Sequence, residues 1–431
     1  MSPKAKATAP PNPPDPPPPR LGPRPLPLHL LSAMAIWQSS KLALPFLNSD
    51  SSLWKEVLPP RLADLATVLK NQFGQEASGV HLTDLACAVD AEILSRADDL
   101  MRGILTYRHH PYRRDLPEPP VFWQEGTTRL IDYAPAGGKP LLVVPSLINR
   151  AYILDLMAEQ SLLRELAAQG LRPLLVDWGR PGEAEQDFTL TDYVAGRLER
   201  ALAAVTRRLP GARPGVLGYC MGGLLALALA QRRPTEIAAA VFLATPWNFA
   251  DLLPPAVRRP EAEIKTALAL FEPVGVVPSE ALQAFFVLGT SGDGAFKFGR
   301  FAGLAPDSAA ARRFVAVEDW LNDGVPLALP TARESLAGWY GGNRPATGTW
   351  RIAGASVRPE DLSCPSLVIA GQRDRLAPPE SAFPLAKTLP HAQVLKPDLG
   401  HIGLIVGTKA RALVWHPLAA WLAETLPATQ D

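Results

Sequence analysis

The sequence predicts an α/β protein with a doubly wound, mostly parallel sheet, a helical region before it and a helical insertion within it. Two observations predict this class. Apolar runs of four or five residues alternate with helical patterns from residue 121 onward, which is typical of strands covered on both faces. A Gly-Tyr-Cys-Met-Gly-Gly stretch at residues 218–223 joins one such run to a helical pattern.

The composition narrows the class of protein. Its 431 residues carry 43 basic and 42 acidic side chains, a net charge of +1, so nothing favours a nucleic acid or an anionic membrane as partner. Cys87, Cys220 and Cys364 lack metal-ligand spacing and are typical of a reduced cytoplasmic protein. No apolar run approaches the ~20 residues of a membrane span, and no signal peptide is evident. We expect a cytoplasmic location, no metal and no tightly bound cofactor.

The composition of the first 115 residues predicts a disordered tail followed by a helical region. Residues 1–28 are dominated by proline and poor in apolar side chains, so we expect a disordered tail, either a solubilising extension or a docking arm. Residues 29–115 carry apolar side chains at helical spacing and predict an N-terminal helical region. Cys87 is expected on its buried face, whereas His109 and His110, in a basic linker, are expected to be exposed to solvent.

Strand patterns begin at residue 121 and predict a core in two parts, residues 116–247 and 360–431. A hairpin is predicted across Glu125-Gly126. Further strands are predicted at residues 141–144, 174–176, 216–217, 239–243, 367–370 and 394–396. Helices are predicted at residues 153–169 and 190–208. Catalytic groups are expected at the carboxyl ends of the parallel strands.

Residues 248–359 interrupt the alternation of strands and helices. Their content is helical and rich in aromatic side chains, and the insertion falls at the end of the sheet where Cys220 emerges. We therefore predict a cap that dries and shapes the site. Its aromatic side chains either form the core of the cap or line a pocket.

Residues 218–223 are typical of a nucleophile elbow, a tight strand-to-helix turn that exposes one side chain. Gly218 and Gly222 let the neighbouring backbones pass, and Cys220 lies at a helix N-terminus, which favours the thiolate. This context predicts the α/β-hydrolase fold with Cys220 as nucleophile. Sulfur suits attack on a thioester, because exchange between two thioesters is nearly balanced in free energy.

Two further residues follow the order of this fold, in which an acid and then a base come after the nucleophile. Asp374 follows the strand at 367–370, and His401 follows the strand at 394–396. We predict that His401 takes the proton of Cys220 and that Asp374 orients the imidazole ring.

Backbone N–H groups are expected to bind the oxyanion. One is that of Met221, directly after the nucleophile. The other comes from the loop after the strand at 141–144, where Leu147 and Ile148 are both candidates. Asp155 and Asp177, which also follow strands, either cap an element or support the site without contacting substrate, or they reach the pocket; the first interpretation is favoured.

Several segments, in order along the chain, resemble the catalytic subunit of polyhydroxyalkanoate synthases, most closely the two-component class III type. They are residues 144–156, 177–181, 189–193, the Cys220 elbow, residues 318–320, Asp374 with Pro378-Pro379, and residues 400–403. The resemblance implies an acyltransferase that loads an (R)-3-hydroxyacyl group from coenzyme A onto Cys220 and releases coenzyme A. Chain growth follows when a hydroxyl activated through His401 and Asp374 attacks the acyl-enzyme thioester.

The same resemblance implies a homodimer at the surface of polyhydroxyalkanoate granules, with the growing polyester as second substrate. It admits a second synthase subunit or granule proteins as partners. The alternative is a Cys-dependent α/β-hydrolase, such as an intracellular polyester depolymerase or a thioesterase.

Overall fold

The computed structural model describes residues 19–43, 82–250, 252–253, 255, 257–289 and 293–428. The strands of the described residues, in chain order, are β1 Val121–Glu125, β2 Thr128–Asp132, β3 Lys139–Val144, β4 Asp155–Met157, β5 Gln160–Ser161, β6 Leu171–Asp177, β7 Gly215–Tyr219, β8 Ala239–Leu243, β9 Val276–Val277, β10 Leu327–Ala328, β11 Arg351–Ile352, β12 Ala355–Ser356, β13 Ser366–Ile369 and β14 Ala392–Leu395.

The α-helices of the same residues are α1 Leu26–Ala43, α2 Leu82–His109, α3 Leu162–Ala168, α4 Glu199–Arg208, α5 Met221–Arg232, α6 Glu261–Leu268, α7 Ser279–Gly289, α8 Asp293–Ala302, α9 Ala309–Asn322, α10 Leu329–Ala332, α11 Pro379–Thr388, α12 Gly403–Val406 and α13 His416–Thr425. Wider π-helical turns lead into α4 and α13 and follow α10, at Asp192–Leu198, Arg411–Trp415 and Arg333–Gly341. Short 3₁₀ turns lie at Ala151–Leu154, Ala269–Val274 and Pro359–Asp361.

Within the described residues, eight strands form one sheet in the order β1-β2-β6-β3-β7-β8-β13-β14. The β1–β2 and β2–β6 pairs are antiparallel, and every later pair is parallel. The carboxyl ends of β7, β13 and β14 therefore point to the same edge of the sheet. This sheet confirms the predicted α/β fold class, and β1 and β2 form the hairpin predicted across Glu125-Gly126.

Two apolar cores cover the two faces of the sheet. Side chains alternate between faces along a strand, so Leu142 and Val144 of β3 join one core, and Leu141 and Val143 join the other. Helix α5 lies in the first core, with every residue from Met221 to Ala230 buried. Coverage of both faces explains why the central strands read as continuous apolar runs.

Residues 153–161 differ from their predicted structure. A helix was expected over residues 153–169, but the chain forms a 3₁₀ turn at Ala151–Leu154 and the β4–β5 pair, and α3 begins only at Leu162. The apolar residues of this stretch fit the spacing of a helix as well as that of a strand. The Ser161 side chain fixes the start of α3 by accepting a hydrogen bond from the Arg164 N–H at 3.1 Å.

The expectation of a disordered tail over residues 1–28 is wrong for residues 19–28. Helix α1 begins at Leu26, and the Arg20 side chain is only 9% exposed because it pairs with Asp319. Residues 1–18 of that prediction, and residues 44–81 of the helical region, lie outside the described part of the chain.

Helices α1 and α2 pack on the cap helices α8 and α9 through a third apolar core. It contains Trp37 and Ile104 from the N-terminal helices and Phe298 and Val315 from the cap. Several cap aromatics are thus shared with the N-terminal region, which the sequence patterns did not indicate.

Two further expectations for this region are wrong. His110 is buried, with its Nδ1 accepting from the Tyr112 N–H at 3.1 Å and its Nε2 lying 2.9 Å from the Pro306 carbonyl oxygen. Cys87 is exposed, whereas Cys364 is buried as expected.

Candidate active site

Cys220 occupies the turn between β7 and α5. Its backbone has φ 57° and ψ −127°, a left-handed conformation that residues other than glycine adopt rarely and chiefly at functional sites. The Cys220 N–H donates to the Leu243 carbonyl at 2.9 Å, and its carbonyl accepts from the Gly223 N–H at 2.9 Å. These bonds hold the turn from both the neighbouring strand and the following helix.

The close approaches at the elbow require glycine on both sides of Cys220. A Cβ at position 218 would lie 2.3 Å from the Gly223 Cα, and one at position 222 would lie 2.0 Å from the Val144 carbonyl oxygen. The first turn of α5 is thereby pressed against the end of β3. This contact brings the loop after β3 next to the N-terminus of the helix that follows Cys220.

Asp374 and His401 meet at the ends of β13 and β14. His401 Nδ1 lies 2.8 Å from Asp374 Oδ2, and Asp374 Oδ1 accepts from the Leu376 and Ala377 N–H groups, each at 2.8 Å. The carboxylate is thus fixed by the backbone on one oxygen and faces the ring with the other. Both side chains are buried, at 3% and 8% exposure.

Cys220 lies close enough to His401 for its charge to act on the ring. The structure thus places Cys220, Asp374 and His401 at the same edge of the sheet, and their roles as nucleophile, acid and base stay predictions. Burial alone would lower the pKa of His401. The neighbouring Asp374 carboxylate and the Cys220 sulfur more than offset this effect and raise the pKa well above its usual value.

Two tyrosines surround the sulfur. Tyr219 is buried, and its ring centroid lies 5.3 Å from that of His401. Tyr340, from the cap, lies close enough to Cys220 for the sulfur to affect it: burial first, and then the charge of Cys220, raise the pKa of its hydroxyl. The sequence indicated only that the cap is rich in aromatic side chains, because the approach of Tyr340 to Cys220 depends on how the insertion folds back.

The loop after β3 carries the two candidate oxyanion donors. The Ile148 N–H donates to Ser146 Oγ at 3.1 Å, whereas no hydrogen bond of the Leu147 N–H occurs among the described residues. The loop is anchored at its start by the Trp178 indole, which donates to the Pro145 carbonyl at 3.1 Å. Leu147 therefore has the freer donor.

Asp155 and Asp177 lie in ion pairs. Asp155 is fully buried between Arg114 and Arg164, at 3.0 and 2.8 Å, and Asp177 pairs with Arg129 at 2.7 Å. These contacts are structural, as expected.

The residues that the structure describes contain no group of three or more His, Cys, Asp or Glu side chains that could hold a metal ion. Among the helices that the structure describes, none combines the length and hydropathy of a transmembrane segment.

Residues 139–408 match the sequence model of the α/β hydrolase fold family. The chain belongs to this family. Within this family, the chain is similar to three proteins named poly(3-hydroxyalkanoate) polymerase subunit PhaC. The one from Haloferax mediterranei is 30% identical over 311 residues, which are 70% of this chain and 63% of the relative.

The relatives from Allochromatium vinosum and Haloarcula marismortui are each 28% identical. The first matches 66% of this chain and 81% of its own length, and the second matches 68% and 62%. The chain thus spans less than two thirds of the length of the Haloferax and Haloarcula relatives.

Proposed function

We propose that the protein is an acyltransferase that polymerises (R)-3-hydroxyacyl groups from coenzyme A thioesters into polyhydroxyalkanoate through a thioester on Cys220. The observation that carries this choice of reaction is the likeness, over about two thirds of the chain, to proteins named poly(3-hydroxyalkanoate) polymerase subunits. A thiol at the elbow supports it, because an acyl group on sulfur stays activated for a second transfer.

In the first step the Cys220 thiolate attacks the thioester carbonyl of the hydroxyacyl-CoA. The new carbon–sulfur bond forms to Cys220, and the bond to the coenzyme A sulfur breaks. The departing coenzyme A thiolate takes a proton from the His401 imidazolium, which Asp374 stabilises and orients. The raised pKa of His401 supports this role, because it favours the protonated ring before the attack. Once the sulfur is acylated, it no longer stabilises the imidazolium, and the proton can pass to the leaving thiolate.

The oxyanion formed during the attack needs two donors. We assign them to the Met221 N–H at the start of α5 and the Leu147 N–H, since the Ile148 N–H is taken by Ser146. In the second step the hydroxyl of another hydroxyacyl group attacks the Cys220 thioester and gives its proton to His401. An ester forms, and the bond to Cys220 breaks.

In this proposal the cap favours transfer over hydrolysis by limiting the access of water to the acyl-enzyme, and Tyr340 of the cap lies near enough to Cys220 for the charge of Cys220 to act on its hydroxyl. In this proposal coenzyme A is part of the substrate, and no other cofactor takes part. A homodimer, a granule-surface location in the cytoplasm, and a second synthase subunit or granule proteins as partners stay predictions.

One assay tests the proposal. Purified protein is supplied with (R)-3-hydroxybutyryl-CoA, and free coenzyme A, insoluble polymer and free 3-hydroxybutyrate are measured. Wild type is expected to release coenzyme A with formation of polymer, and Cys220→Ala to do neither. Release of coenzyme A and free 3-hydroxybutyrate in equal amounts, without polymer, would instead identify a hydrolase.

A further inference from the structure

Arg20, in the stretch before α1, is the centre of a polar cluster that joins the N-terminal region to the cap. Its guanidinium contacts both carboxylate oxygens of Asp319, at 2.5 and 3.0 Å. It also donates to the carbonyls of Tyr107, His110 and Tyr112. An arginine fork with its donors this fully used permits only one arrangement of the groups around it.

Asp319 lies on α9 and receives a second contact from the N-terminal helices. The Tyr107 hydroxyl donates to Asp319 Oδ1 at 3.0 Å. Burial, together with the charges of Asp319 and Glu318, raises the pKa of this tyrosine, which therefore keeps its proton to donate. Glu318, the preceding residue, pairs with Lys297 of α8 at 2.7 Å. Helix α9 is thus fixed by charge on the side that faces α2 and α8.

Trp320, the residue after Asp319 on α9, contacts the loop that carries the candidate oxyanion donor. Its indole donates to the Arg150 carbonyl at 2.7 Å. Just after α9, the Val325 N–H donates to the Ile148 carbonyl at 3.3 Å, and Gly324 pairs with Asn149 as an isolated bridge. Residues 148–150 are therefore held by the end of α9, directly after Leu147.

We propose that the Arg20–Asp319 ion pair is a positioning contact for acyl transfer, which holds α9 and, through Trp320, sets the place of the Leu147 N–H beside Cys220. This inference rests on the proposed function. Neither Arg20 nor Asp319 touches the reacting atoms. The Arg20 side chain is 9% exposed and that of Asp319 is 29% exposed, and a bidentate arginine–carboxylate contact fixes the geometry of the groups that it joins. An oxyanion donor acts only when its N–H is aimed at the developing charge.

Two reactions of Cys220 separate positioning from general damage. Alkylation by iodoacetamide needs the thiolate but no oxyanion donor. Acylation by p-nitrophenyl acetate forms a bond from sulfur to the acetyl carbon, passes through an oxyanion and releases p-nitrophenolate. In Arg20→Ala and in Asp319→Asn we expect the acylation rate to fall at least about tenfold, with the alkylation rate within about twofold of wild type.

Two more variants test the path of the effect. Trp320→Phe keeps an aromatic ring but loses the donor to Arg150, and should show the same split between the two rates. Arg20→Lys keeps the charge and should recover part of the acylation rate. Arg172→Ala is the matched control, because it breaks another bidentate Arg–Asp pair, with Asp132 at 2.6 Å, away from this loop. In Arg172→Ala the acylation rate and the alkylation rate should change by the same factor, if they change at all.

Parallel loss of both rates in Arg20→Ala and Trp320→Phe, or no loss of acylation in either, would overturn the inference. The activated ester keeps this test apart from the proposed function. If wild type reacts with p-nitrophenyl acetate but forms no polymer from (R)-3-hydroxybutyryl-CoA, the polymerase proposal fails. The acylation and alkylation rates of the variants then still test the positioning role of the Arg20–Asp319 pair.

Discussion

Asp374 holds the His401 ring through one oxygen while the backbone holds its other oxygen. In the neutral ring, an acceptor at Nδ1 keeps the proton there and leaves Nε2 free to exchange protons with sulfur and substrate. The arrangement therefore makes the tautomer of His401 depend on Asp374 Oδ2. It does so without exposing Asp374 to solvent, since the residue is 3% exposed.

Asp374→Asn tests this dependence. The amide oxygen still accepts from the Leu376 and Ala377 N–H groups, so the fold is expected to survive. Its NH₂ group faces Nδ1 and stabilises the wrong tautomer, and we expect coenzyme A release to fall by roughly three to four orders of magnitude. Steady-state rates with (R)-3-hydroxybutyryl-CoA measure this effect. A loss below about tenfold would contradict the role given to Asp374.

The raised pKa of His401 predicts a pH-dependent contribution to stability. A group whose pKa is higher in the folded than in the unfolded state stabilises the fold below its unfolded pKa of about 6.5. This contribution is lost as the pH rises through the folded value. The difference in free energy of unfolding between wild type and His401→Gln should therefore shrink with rising pH, by about 1.4 kcal/mol for each pH unit between the two pKa values.

Urea denaturation of wild type and His401→Gln at a series of pH values from about 6.5 upward measures that difference. Asp374→Asn is the control, because removal of the carboxylate should flatten the pH dependence. A difference that grows with pH would mean that burial, rather than Asp374 and Cys220, governs the His401 ring.

At the scale of the elements, the contact of α5 with β3 positions both halves of the candidate oxyanion site. Gly222→Ala would place a Cβ 2.0 Å from the Val144 carbonyl oxygen. We expect a loss of about 1–3 kcal/mol in the free energy of unfolding and a larger loss of Cys220 acylation than of its alkylation. Thermal denaturation and the two Cys220 rates measure the effects.

Gly299→Ala on α8 is the matched control for this substitution. Its Cβ would lie 3.5 Å from the Asp99 Cβ, an ordinary contact, and alanine favours a helix interior by about 1 kcal/mol. Unchanged acylation in Gly222→Ala would show that the approach of α5 to β3 does not govern the site.

The sheet, and the positions of Cys220, Asp374 and His401 after its strands, were predictable because each depends on a local pattern. Cys220 follows an apolar strand within a glycine-framed turn, and Asp374 and His401 follow later strands in the order of the fold. The 153–161 segment was wrongly predicted as helix because its apolar residues fit two periods. Tertiary contacts decided that segment.

The remaining differences arise from contacts between segments distant in sequence. Arg20 lies in a proline-rich stretch and is held by contacts with distant segments, among them its pairing with Asp319, 299 positions away. His110 was expected to be exposed because its neighbours are basic, but it is buried against the carbonyl of Pro306. Neither partner can be identified from composition or spacing.

At the scale of the whole molecule, the N-terminal helices and the cap share one apolar core, so the cap is held from outside the α/β core. Gly103→Ala tests this arrangement, because its Cβ would lie 2.0 Å from the Phe298 carbonyl oxygen and would separate α2 from α8. We expect a stability loss of about 1–3 kcal/mol and faster proteolysis within α2. Leu105→Ala, on the exposed side of α2, should change neither; equal effects in both variants would contradict this packing.

The proposed reaction requires an acyl group to pass through the sulfur of Cys220. This intermediate can be trapped by mixing the protein with (R)-3-hydroxybutyryl-CoA, quenching in acid within the first turnover, and mapping the attached acyl group by peptide mass spectrometry. We expect a 3-hydroxybutyryl group on the peptide that contains Cys220, and none in Cys220→Ala. An acyl group on another residue, or turnover that persists in Cys220→Ala, would show that the acyl group does not pass through Cys220.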